Sequence, residues 1–134
     1  MLLLTVMLVL VSTSAMAKGN VWVWIGTGRE HAVDYYLDFQ SFHKRGQNVI
    51  AWELMDFETP RELDGATGRY LSSKLQMEFD CNHRQSRILS LYMYTGIMGT
   101  EDIIYSANFP SAPWKPVITG SVEKELWNSA CVKK

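Results

Sequence analysis

Between Tyr70 and Cys81 the chain alternates without a break. Leu71, Ser73, Leu75, Met77, Phe79 and Cys81 share one side, and Tyr70, Ser72, Lys74, Gln76, Glu78 and Asp80 the other. A period of two with one polar side predicts a half-solvated strand in an antiparallel sheet, and it puts Cys81 on the core side. The only other cysteine is Cys131, three residues from the end. Both cysteines follow an N-terminal segment that reads as an export signal, so a single Cys81–Cys131 disulfide is expected in an oxidising compartment. Closing a loop of 50 residues in this way is worth about 4 kcal/mol. A redox-active pair is disfavoured, because the spacing is not Cys-x-x-Cys.

The export signal is residues 1–17. Leu2 to Val11 is an apolar run broken only by Thr5, and Ala15-Met16-Ala17 is a small-x-small cleavage site. The run is too short to span a bilayer, which takes about 20 apolar residues. Cleavage leaves residues 18–134 as one small domain starting at Lys18. Lys18 stands where a lipid-modified Cys would be, so no lipid anchor is expected. The product is expected to be periplasmic, secreted or at the cell surface, with no transmembrane segment.

Lys and Arg number 13 against 14 Asp and Glu, a net charge of −1. That balance argues against a nucleic-acid partner, which needs a strong basic excess. Five Trp, six Tyr and five Phe supply a large apolar payload for a chain this short.

The remaining elements follow from pattern and punctuation. Val21-Trp22-Val23-Trp24-Ile25 is continuously apolar and reads as a strand covered on both faces, with a turn at Thr27 to Glu30. Val33 to Phe39 is a second strand. His43 to Asn48 is a Gly-containing turn, and Val49 to Phe57 is a third strand. Glu58 to Arg69, with Pro60, Gly65 and Gly68, reads as a mobile surface loop. Arg87 to Tyr94 and Glu101 to Ser106 are two more strands. Pro110, Pro113 and Pro116 exclude a regular helix or central strand before Val117. Ser121 is a suitable N-cap for a helix whose first turn holds Glu123 and Glu125. Its buried stripe is Val122, Leu126, Trp127, Ala130 and Cys131. The expected architecture is α+β: an antiparallel sheet of about six strands, with a C-terminal helix packed on one face and joined to it by the disulfide.

An ordered set of segments then becomes informative. It runs from the Trp-rich Val21 to Gly26 through Asp34-Tyr35-Tyr36-Leu37-Asp38 and Val49 to Asp56. It continues with Tyr70-Leu71-Ser72-Ser73-Lys74, Glu78-Phe79-Asp80-Cys81, Arg87 to Gly96 and Trp114-Lys115-Pro116-Val117. It closes with a helix ending in Cys131. This set resembles the bacterial surface-adhesin protein E family over nearly all of residues 18–134. The resemblance implies a binding role rather than catalysis, with host extracellular matrix or serum proteins as partners.

The residues themselves offer no catalytic set and no metal set. His31, His43 and His83 are far apart, without metal-ligand spacing. Asp34 and Asp38 lie four apart on one strand face, roughly 13 Å from each other, and read as solvent-face charge. No cofactor is expected. Two basic clusters at turns remain as partner-binding candidates: Lys44 and Arg45 in one, Arg84 and Arg87 in the other, with Tyr92, Tyr94 and Tyr105 as aromatic neighbours. The leading expectation is therefore an exported, non-enzymatic adhesin-like binding protein. The alternatives are a periplasmic accessory or structural protein, and a small-ligand carrier using the Trp-rich strand. An exposed sheet edge would support a homodimer.

Overall fold

The computed structural model describes residues 19–28, 32–64 and 68–132. The expected signal peptide, His31 and the central part of the expected mobile loop lie outside them. The chain folds as an antiparallel meander with a helix laid over one face. The strands are β1 (Val23–Gly28), β2 (Val33–Arg45), β3 (Asn48–Glu62), β4 (Arg69–Asp80), β5 (Gln85–Tyr94) and β6 (Ile103–Asn108), and they pair in sequence order. A two-residue strand, β7 (Lys115–Pro116), pairs with the free start of β5. Helix α1 (Val122–Val132) ends the described chain.

Cross-strand register sorts the side chains into two faces. Leu37, Glu53, Leu75 and Leu91 line up across β2 to β5 on the face under α1. The core there joins Leu37, Ala51 and Phe79 to Leu126, Trp127 and Ala130 of α1. The helix starts as its sequence predicts, with Ser121 Oγ accepting from Lys124 N at 3.3 Å. It is fixed at its middle by Trp127, whose Nε1 donates to the Asp80 carbonyl at 2.9 Å, and at its far end by the Cys81–Cys131 disulfide, with a Cα–Cα distance of 5.4 Å.

Five expectations change. The third strand does not stop at Phe57. It runs on to Glu62 and pairs with the start of β4 through Arg61↔Tyr70 and Glu62↔Arg69. The register breaks between Asp56 and Arg61, and this irregularity holds Pro60 outside the ladder, where its missing N–H costs nothing. The second strand similarly continues past Phe39. A bulge between Asp38 and His43 lets Ser41 Oγ stand in for a backbone acceptor, taking Trp52 N at 2.9 Å. That bulge also stacks Phe39 on Phe42, with centroids 4.9 Å apart, against the core.

The first strand is not covered on both faces. It is a sheet edge, and Val23 (44%) and Trp24 (56%) are exposed. The polar side of β4 is solvated only in part: Ser72, Glu78 and Asp80 are buried there, while Tyr70, Lys74 and Gln76 are half-buried. Ser72 is covered by the 3-10 turn at Ile97–Gly99, donating to the Gly96 carbonyl at 2.6 Å and accepting from Gly99 N at 2.8 Å. Asp38 is buried as well, rather than a solvent-face charge. Its carboxylate accepts from Gln40 N at 3.0 Å and Asn20 Nδ2 at 2.9 Å.

Candidate functional site

Antiparallel pairing brings the two basic turns to the same end of the sheet. One row of partners runs Arg45–Asn48–Asp80–Gln85–Pro116, and Lys115 lies beside it opposite Ser86. At about 4.8 Å per strand, this row spans roughly 20 Å. The β2–β3 turn is closed by Gly46, whose φ of +62° suits a residue without Cβ. The β4–β5 turn is built around Asp80. Its Oδ1 accepts from Asn82 N and His83 N at 3.0 and 3.2 Å, and its Oδ2 from Gln85 Nε2 at 2.9 Å, with His83 Nδ1 3.0 Å away. Burial pushes the Asp80 carboxyl up, but the hydrogen bonds from Gln85, Asn82 and His83 and the His83 charge outweigh it and hold it below its usual value.

Glu78 organises the cations. Arg87 grips its Oε1 through Nε at 2.9 Å and a terminal nitrogen at 2.8 Å, and Asn48 Nδ2 donates to Oε2 at 2.9 Å. Arg45 stands 3.8 Å from the same carboxylate. Burial raises the Glu78 carboxyl. The hydrogen bonds from Asn48 and Arg87, then the charges of Arg87 and Arg45, more than reverse this, so the group stays ionised well into acid.

The four sequence candidates therefore separate by role. Arg87 is committed inward, pinned to Glu78 and lying 4.2 Å over the Trp114 ring. Lys44, Arg45 and Arg84 are exposed. Arg84 also adopts a left-handed backbone with φ of +44°, and its carbonyl accepts from Val117 N at 3.0 Å. Exposed Lys115 joins them, a residue that sequence reasoning passed over because only the β5–β7 pairing brings it here. With both carboxylates consumed internally, this end presents its cations outward.

Tyr92 and Tyr94 are not neighbours of these cations. They lie at the opposite end of β5, roughly 25–30 Å along the strand from the turn, and Trp114 is the aromatic ring stacked on Arg87 at the basic end. A groove of about 630 Å³ opens between β4, β5 and the Pro-rich segment, and Arg87 and Lys115 of the basic end line part of it. Leu75, Met77, Ile88, Phe109, Val117 and Glu123 are among the residues that line it.

The profile of the surface-adhesin protein E family matches residues 22–132. The chain belongs to this family. Its architecture is that of protein E from Haemophilus influenzae. One crystal form of that protein superposes with a TM-score of 0.59 at 11% identity, covering 84% of this chain and 96% of the other. The protein from a non-typeable strain superposes at 0.57 and 11% identity, covering 87% and 86%. At such identities the likeness establishes the fold. No curated protein matches the chain in sequence. Membership in a surface-adhesin family fits an exported protein, and among the described residues no helix is long and apolar enough to cross a membrane.

Proposed function

We propose that this chain is an exported, non-enzymatic adhesin that binds acidic surfaces of host extracellular matrix or serum proteins through its basic sheet end. Lys44, Arg45, Arg84 and Lys115 form the contact, while Glu78, Asp80 and Arg87 hold the turns that present them. One observation carries the reading: a chain of net charge −1 gathers exposed cations at one end and neutralises the nearby carboxylates from within. Such a patch speeds association and weakens with salt. The test is binding of residues 18–134 to a panel of purified matrix and serum proteins, with and without Lys44→Ala, Arg45→Ala and Arg84→Ala. Saturable, salt-sensitive binding that the triple variant loses supports the proposal. Binding that the variant retains unchanged refutes it.

The apolar groove favours a second reading, a carrier of a small apolar ligand. Its volume of about 630 Å³ falls in the range of small-molecule sites. A panel of apolar ligands that leaves the NMR signals of Leu75, Ile88 and Val117 unshifted would dismiss it.

A further inference from the structure

The sheet face opposite α1 carries a second feature, unrelated to the basic end. Register places Tyr36, Leu54, Lys74 and Tyr92 in one row across β2 to β5, with Trp52 and Tyr94 in the rows on either side. Around Lys74 lies a concavity of about 340 Å³ lined by Asn20, Trp52, Lys74, Tyr92, Tyr94 and Ile103. Trp52 and Tyr92 form a tilted wall, with ring centroids 6.0 Å apart and planes at 45°.

Lys74 is held with unusual definition for a lysine. Its Nζ lies 5.1 Å from the Tyr94 centroid and 5.9 Å from that of Trp22, and it donates to Asn20 Oδ1 at 3.2 Å. Its stem packs on Gly99, where any Cβ would overlap it. Among the described residues no carboxylate lies within ion-pair distance of Lys74. Asp38 is one hydrogen bond further away, on the other side of the Asn20 amide. Burial pushes the Lys74 ammonium below its usual value, the mark of a cation short of compensating charge.

A ligand for this concavity needs a flat apolar face for the rings and an anion for the ammonium. A carboxylate-bearing sugar has both on one small molecule: axial C–H bonds on one ring face, a carboxylate at the edge, and hydroxyls for the tyrosines. A free carboxylate or an acidic peptide side chain lacks the ring face, and a neutral sugar lacks the charge. We propose that Trp52, Tyr92 and Lys74 form a site for an acidic sugar residue of a glycan, with the ring stacked on the aromatic wall and the carboxylate paired to Lys74.

The site lies apart from the basic end and is tested independently of it. Residues 18–134 are titrated with glucuronate and N-acetylneuraminate, with glucose and acetate as comparators, following Trp fluorescence and amide shifts. The expected result is saturable binding of at least one acidic sugar, at least about tenfold tighter than glucose or acetate, since the charge-assisted bond and the stacking act together. Lys74→Met should weaken it about tenfold or more at an unchanged melting temperature, and the Lys44, Arg45 and Arg84 triple variant should leave it intact. If Lys74→Met does not fold, loss of binding in Tyr92→Leu carries the same weight. No saturable binding of either acidic sugar, acetate or glucose binding as tightly, or full binding by a folded Lys74→Met or Tyr92→Leu protein would each overturn the assignment.

Discussion

Glu53 is 5% exposed, set between Leu37 and Leu75 in the row beneath α1. Burial, with the Glu123 charge as a second cause, pushes its carboxyl from an ordinary 4.5 up to about 8. The folded protein therefore holds a proton there at neutral pH that the unfolded chain releases. Below about pH 4.5 both states are protonated and nothing is lost. Between about 4.5 and 8 only the unfolded chain ionises, so stability falls by about 1.4 kcal/mol per pH unit. The loss reaches about 3 kcal/mol at pH 7 and levels off once the folded state also ionises. Glu53→Gln keeps the size and neutrality of the protonated acid and removes the titration. Urea melts of both proteins at pH 5, 7 and 9 provide the assay. The variant's advantage should grow from under about 1 kcal/mol at pH 5 to about 5 at pH 9. Glu78 and Asp80 contribute stability that is lost only as pH falls through their depressed values, and they cancel in the comparison. An advantage that stays constant across pH would show that Glu53 is not held protonated in the folded protein.

Three further outcomes follow from the same contacts. Reduction of Cys81–Cys131, which closes a separation of 50 residues, should cost about 4 kcal/mol and release α1 first; equal melts with and without reductant would contradict this, and hydrogen exchange would locate the change. Glu78→Ala should cost about 3 kcal/mol because it strands the half-buried Arg87, whereas Arg45→Ala, exposed and 3.8 Å from the carboxylate, should cost under about 1. Comparable losses in the two melts would show that Glu78 is not the organising group. Trp127→Phe should cost about 1–3 kcal/mol by leaving the Asp80 carbonyl without its indole donor, and a neutral effect on the urea midpoint would rule that out.

Much of the fold was legible in the sequence because it rests on local pattern. The alternation of β4, the Ser121 cap and the helical stripe ending at Cys131 each follow from one segment and elementary geometry. What escaped depends on partners distant in sequence. The apolar run at β1 reads the same whether central or at an edge, and only its unpaired side leaves Trp24 exposed. Pro60 marks a chain break in the sequence, yet an irregularity carries the strand past it. Glu78 looks solvated on an alternating strand until Arg87, Asn48 and Arg45 converge on it from three others. The basic residues were recognisable one by one, but their gathering at one end, and the recruitment of Lys115, come from the hairpin order and the β5–β7 pairing.

The measurement closest to the central claim is equilibrium binding of residues 18–134 to immobilised matrix and serum proteins at low and physiological salt, beside the Lys44, Arg45 and Arg84 triple variant. Saturable binding to at least one of them is expected, weakened by salt and lost in a variant that melts like the parent. Binding by parent and variant alike, or by neither, would contradict it.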